Sequence, residues 1–163
     1  MGGLRAAARA GGWLCCGSLI LGAPAEAAPQ LVKVGDFAQP TSVTAAPGDA
    51  SRLFVTERAG RVRVVRDGTA LTFLDLSAST ATEGSERGLL SMAFAPDFAT
   101  SGRFYVYLTA RPAGAIEIRE YRAAGPDAAD PATGRVVLSI PHAEAANHNG
   151  GQLQFGPDGR LWL

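Results

Sequence analysis

The two histidines of this chain, His142 and His148, fall in one short stretch together with both of its asparagines, Asn147 and Asn149. That stretch reads Pro141-His142-Ala143-Glu144-Ala145-Ala146-Asn147-His148-Asn149-Gly150-Gly151-Gln152-Leu153, so His148 is bracketed by amides. An unperturbed imidazole titrates near ~6.5, so a histidine can be neutral at pH 7 and accept a proton. Gly150-Gly151 leaves room for backbone or a ligand to come close, because neither residue carries a Cβ. On spacing alone His148 has two open roles. It can be a base at a ligand site, or it can cap a strand and bond to a neighbouring element. A metal centre is disfavoured. His142 and His148 stand six apart with only Glu144 nearby, which matches none of the compact histidine motifs. No metal ligand is assigned.

The elements that must hold this stretch are short strands joined by turns. Leu31-Val32-Lys33-Val34 is expected to be a first strand, and Thr41 to Ala46 a second, ending at Pro47-Gly48-Asp49. Leu53-Phe54-Val55-Thr56 and Val62-Arg63-Val64-Val65 flank a turn in which Gly60 supplies positive φ, so they read as a hairpin. Asp67-Gly68 closes that hairpin's second strand, and Thr72 to Leu76 begins another. Leu89 to Ala95 has helical composition, yet Leu90, Met92 and Phe94 alternate with small residues and Pro96-Asp97 cuts the run short. That is a strand period. Phe104 to Leu108, Ile116 to Tyr121 and Val136 to Ile140 are further strands, and Pro126 to Thr133 is expected to be a loop.

Three segments share one plan: a strand, a proline turn, then an apolar strand. They are Val43–Pro47 with Arg52–Val55, Met92–Asp97 with Arg103–Val106, and Leu153–Asp158 with Arg160–Trp162. The prolines, Pro47, Pro96 and Pro157, are 49 and 61 residues apart. A repeat of that length with about four strands is one blade of a β-propeller. A sandwich would show strands evenly spaced every ~8–12 residues without the longer self-similarity. A solenoid would show shorter and more regular repeats. The expected fold class is therefore all-β, a β-propeller with a little over two blades in this chain. Leu163 falls in a strand that has just begun, so the sequence is expected to be the opening part of a longer propeller.

The N-terminus carries Arg5 and Arg9, then the apolar run Trp13 to Leu21, Pro24, and Ala25-Glu26-Ala27. This is the pattern of a cleaved secretory signal, expected to span residues 1–27 and to leave 28–163 as the propeller segment. The run falls short of the ~20 apolar residues that span a bilayer, so no stable membrane insertion is expected after cleavage. A secreted or periplasmic location follows. Both cysteines, Cys15 and Cys16, lie in this segment, which excludes a disulfide framework or a cysteine metal site downstream. The chain has 15 basic and 15 acidic residues, and losing Arg5, Arg9 and Glu26 leaves a formal charge of about −1. No basic stripe is present, so nucleic acid is not an expected partner.

Asn147-His148-Asn149-Gly150-Gly151-Gln152-Leu153-Gln154-Phe155-Gly156-Pro157-Asp158-Gly159 resembles a signature of the glucose/sorbosone dehydrogenase family. Glu86-Arg87-Gly88-Leu89-Leu90-Ser91-Met92-Ala93-Phe94-Ala95-Pro96-Asp97-Phe98 resembles the family's second signature, and Leu53 to Val62 resembles its first-blade hairpin. The resemblance runs over residues 31–163 and implies an exported, six-bladed propeller that oxidises aldose sugars with pyrroloquinoline quinone (PQQ) and calcium. It implies that His148 is the catalytic base and the one cofactor-side residue that can be placed here. It also implies that Glu86 and Asn147 are substrate-binding positions. Both depart from the soluble glucose enzyme, with Glu86 at a glutamine position and Asn147 at an acidic one, which argues for a sugar other than glucose. The remaining PQQ-holding residues and the calcium ligands of the family belong to later blades. Two further readings are carried with this one. The same propeller could be an extracellular binding module without redox chemistry, and Glu86 and Arg87 could form a local ion pair at the start of a strand.

Overall fold

In the computed structural model the described residues are 28–163. The expected signal segment, residues 1–27, lies outside them. Residues 33–163 form one compact unit built of two four-stranded antiparallel sheets and a short hairpin.

The first sheet runs in chain order: β1 (Pro40–Thr44), β2 (Leu53–Glu57), β3 (Arg61–Arg66) and β4 (Thr69–Asp75). The second does the same with β5 (Leu89–Phe94), β6 (Arg103–Ala110), β7 (Ala115–Gly125) and β8 (Ala128–Ile140). A single helical turn, α1 (Phe98–Ser101), joins β5 to β6, and β9 (Gln154–Phe155) pairs with β10 (Leu161–Trp162). Each sheet is a meander whose first strand lies beside the first strand of the next, β1 by β5 and β5 by β9. That is the arrangement of propeller blades around an axis.

Alternation explains why neighbours are needed. Phe104, Val106 and Leu108 of β6 point to one side and pack with Phe54, Val62, Val64, Phe73 and Leu74 of the first sheet. Tyr107 of β6 points to the other side and packs with Ile118 and Leu153. Successive side chains of a strand face opposite ways, so one strand serves two interfaces. The core between the first two sheets is aromatic. Phe54 meets Phe73 at 4.9 Å and Phe94 at 4.7 Å between ring centroids, both edge to face.

The repeat seen in sequence has a physical counterpart. After each turn proline an aspartate binds the next strand's arginine: Asp49 to Arg52 at 2.6 Å, Asp97 to Arg103 at 2.8 Å, Asp158 to Arg160 at 3.1 Å. Asp49 also accepts from the hydroxyl and backbone N–H of Ser51, and these bonds, with Arg52, bring its pKa from 3.8 to about 2 against the opposing effect of burial. Because the folded value lies below the unfolded one, the stabilisation is complete above pH ~4 and is lost as pH falls towards ~2. Asp49→Asn is expected to lower stability by about 1 kcal/mol at neutral pH. Denaturant midpoints measured against pH should show the two proteins converging near pH ~2.

The hairpin turns are as expected. Gly60 has φ 105°, and a Cβ there would stand 2.8 Å from the backbone nitrogen of Ser77. Asp67 and Gly68 have φ 51° and 74°, the two positive values a type I′ hairpin turn requires. Leu89–Phe94 is a strand, as its alternation indicates.

Two expectations are corrected. Leu31–Val34 forms no strand, and its apolar side chains Leu31, Val32 and Val34 are exposed. A strand exists only through ladder bonds, and this segment pairs with none of the described strands. The stretch from Pro126 to Thr133 is mostly not a loop. Only Pro126 and Asp127 turn, and β8 is extended from Ala128. Pro131 is accommodated because the register shifts between Glu120 and Arg122 of β7, leaving an extra stretch of β8 bulged out of the ladder. In that bulge Asp130 accepts from the N–H of Ala132, and the Thr133 hydroxyl donates to the carbonyl of Asp130. A missing N–H costs little at a bulge on an outer strand.

Candidate active site

The inner strands of the blades enclose an open cleft of about 700 Å³. Its walls are Thr41–Thr44 of β1, Leu90–Met92 of β5 and the Gly150–Gln154 stretch that leads into β9. No residue lining it is charged. His148 is exposed two positions before this wall begins, on the loop that connects β8 to β9.

This loop is short of regular structure, so its backbone polar groups need other partners. Side chains supply them. The Tyr107 hydroxyl donates to the carbonyl of Asn149 at 2.5 Å. The Asn149 amide donates to the carbonyl of Ala146 at 3.0 Å, and the His142 Nε2–H to the carbonyl of Asn147 at 2.8 Å. The Glu86 carboxylate accepts the backbone N–H of His148 at 2.6 Å. Asn149 is only 2% exposed, whereas its neighbours Asn147 and His148 are open to solvent. His148 itself is held at φ 60°, the left-handed region, which a non-glycine residue adopts only when its surroundings demand it.

The structure thus brings two of the three sequence candidates into contact. Glu86 and His148 are joined through a backbone bond, while Asn147 contributes its carbonyl to His142 and exposes its side chain. Among the described residues Glu86 and Arg87 make no ion pair with each other. Glu86 turns to His148, and the Arg87 guanidinium turns to the carbonyls of the same loop. The space left by Gly150 and Gly151 is filled by protein. A Cβ on Gly150 would lie 2.8 Å from the Tyr107 hydroxyl, and one on Gly151 3.0 Å from Leu90.

Tyr107 escaped the sequence reading, and the loop-holding bonds of Asn149 and Arg87 are not what their spacing suggested. Tyr107 shows there only as an apolar strand position. Burial pushes its phenol pKa up, which keeps it an O–H donor. Tyr107→Phe would strand a buried carbonyl and is expected to cost about 1–2 kcal/mol, readable as a lowered denaturant midpoint with an unchanged m-value.

The donors can be weighed against PQQ, which carries three carboxylates. Uncharged hydroxyls, amides and glycines fit the substrate-facing side of such a site. They offer no cation for the carboxylates, so this cleft wall is not the holding side. Among the described residues there is no cluster of three or more His, Cys, Asp or Glu side chains placed to bind a metal ion, and no helix long and apolar enough to cross a membrane.

Known proteins share this architecture. The family model described as Glucose / Sorbosone dehydrogenase matches residues 37–163. The mouse (Mus musculus) Hedgehog-interacting protein is 36% identical over 141 residues, covering 77% of this chain and 20% of its own length. The crystal structure of an oxidoreductase (glucose dehydrogenase) from Thermus thermophilus matches with TM-score 0.62 and 32% identity, over 78% of this chain and 37% of that one. The PQQ-bound aldose sugar dehydrogenase of Streptomyces coelicolor matches with TM-score 0.58 and 26% identity, over 77% of this chain and 37% of that one. The chain therefore spans about a fifth of the length of the mouse relative and under half of these solved structures. A propeller fold, inner strands around a cleft and a match over nearly all of the described residues lead to one conclusion: the chain belongs to the glucose/sorbosone dehydrogenase family.

Proposed function

We propose that the full-length protein containing this chain is an exported, PQQ-dependent aldose dehydrogenase that oxidises the sugar's anomeric hydroxyl to a lactone, with His148 as general base. The observation that carries this is His148 itself. It is exposed beside the cleft, its backbone is fixed by Glu86, and its ring has no hydrogen-bond partner among the described residues. A ring in that state is free to take a proton from a bound hydroxyl. When bound, the quinone is the hydride acceptor. The chain's own contribution is the base, its positioning and an uncharged cleft wall that admits a polyol. On this reading Asn147, which is exposed, and Glu86, which holds the His148 backbone, meet sugar hydroxyls beside it. Calcium is expected with the cofactor.

The test is reconstitution of the full-length apoprotein with PQQ and Ca²⁺, followed by sugar-dependent dye reduction over a panel of aldoses. Turnover of at least one aldose supports the reading. Absence of turnover across the panel overturns it.

A second reading has its own support. The curated relative in mouse is named for interaction and not for oxidation, at 36% identity. On that reading the propeller is an extracellular binding module. No absorbance change on adding PQQ to the purified protein would favour it.

A further inference from the structure

We infer that Arg87 is a positioning residue that holds the His148 loop in its working shape, and that Arg58 in turn holds Arg87. This rests on the reading of His148 as the base.

One terminal nitrogen of Arg87 donates to three carbonyls of the loop: Ala145 at 3.0 Å, Ala143 at 3.3 Å and His142 at 3.4 Å. These partners lie 55 to 58 residues away in sequence, so the contact ties the start of the second blade to the loop that leads into the third. The three carbonyls belong to a segment without strand partners, where a lost donor is replaced only by water.

The guanidinium has a seat shaped for it. It lies against Gly114 in the turn between β6 and β7, where a Cβ would stand 2.5 Å from Arg87 Cζ. Its backbone is fixed as well. The Arg87 carbonyl accepts from Arg58 at 2.9 Å, and the same Arg58 nitrogen donates to the carbonyls of Thr82 and Gly84 at 3.2 Å. Arg58 itself sits in the turn after β2. A continuous line of contacts therefore runs from the first blade's hairpin, through residues 82–88, to the loop that carries His148. Adjacent on that line, Glu86 holds the N–H of His148 while Arg87 holds the carbonyls before it. Two neighbouring residues thus grip one loop from both polarities. That nitrogen carries two hydrogens, so the three carbonyls share them, with Ala145 the shortest contact.

The experiment uses the full-length protein with Arg87→Met and Arg87→Lys. Amide hydrogen exchange is followed by mass spectrometry across the loop, residues 142–149, and across β6 and β7 as internal control. Sugar turnover is measured on the same samples. For Arg87→Met the loop should exchange at least ~10-fold faster with β6 and β7 unchanged, and kcat should fall ~10–100-fold with KM within about threefold. Arg87→Lys should give a smaller change in the same direction. If Arg87→Met does not fold, the Lys variant carries the test. Unchanged loop exchange overturns the inference. Exchange raised equally in β6 and β7 also overturns it, because Arg87 would then be a general structural residue. If the unsubstituted protein oxidises no aldose, the functional reading falls, and the exchange arm still decides whether Arg87 holds the loop.

Discussion

His148→Asn in the full-length protein is expected to lower kcat by roughly 10²–10⁴-fold, the range that general-base catalysis contributes, and to leave the fold intact. Asparagine suits this position because it tolerates the left-handed backbone that His148 adopts at φ 60°. Alanine would add backbone strain to the loss of the ring. The side chain is exposed, so removing it opens no cavity. Glu86 binds the backbone N–H, which the substitution retains. Stability and turnover should therefore separate: a thermal midpoint within a few degrees of the parent, and kcat near background at saturating sugar. Turnover equal to the unsubstituted protein would remove His148 from the chemistry and leave the cleft as a binding surface.

Phe54→Ala should have the largest effect on stability, about 3–5 kcal/mol. Phe54 is fully buried and lies edge to face with Phe73 of its own sheet and Phe94 of the next. It is the hinge of contact between the first and second blades. Each sheet is held in shape by its own ladder bonds and collapses only in part into the space, so the cavity term adds to the lost transfer energy. Denaturant unfolding should show the midpoint falling at constant m-value. Val43→Ala in the inner strand is the contrast. Val43 is 62% exposed, and its loss should stay within about 0.5 kcal/mol.

Those two residues differ in how visible they are in the sequence. Phe54 belongs to a short apolar run beside a glycine turn, and a similar run recurs at Phe104. Apolar runs, turn residues and their repetition are local, so β2, β3, β5 and β6 could be read directly. The aspartate–arginine pairs after each proline explain why the motif recurs although its spacing varies: each fixes the turn before a blade's second strand. His148 was legible because histidines and asparagines are rare here and crowd together. What surrounds it was not. Arg87 reaches carbonyls more than fifty residues away, and no spacing rule encodes such a contact. Glu86 reads as a sugar-facing position, or as one half of an ion pair with Arg87. The ion pair does not form, and the carboxylate also fixes the backbone of the proposed base, which no spacing announces. Leu31–Val34 had strand composition without a partner edge. Pro131 suggested a loop, because a proline's missing N–H matters only if the ladder needs it, and that depends on which strand is outermost.

The same proline has a second meaning. β8 runs for thirteen residues along the outside of its sheet, and one of its edges has no partner in the strand order. Val136, Val137, Leu138 and Ile140 are all at least 37% exposed along it. A long, apolar, unpaired edge is a template on which another molecule's strand can grow. The bulge at Pro131 twists that edge and deletes a donor from it, so a straight intruding strand could not continue past it. The irregularity that hides the first part of β8 from a sequence reader also works against fibre-like self-association.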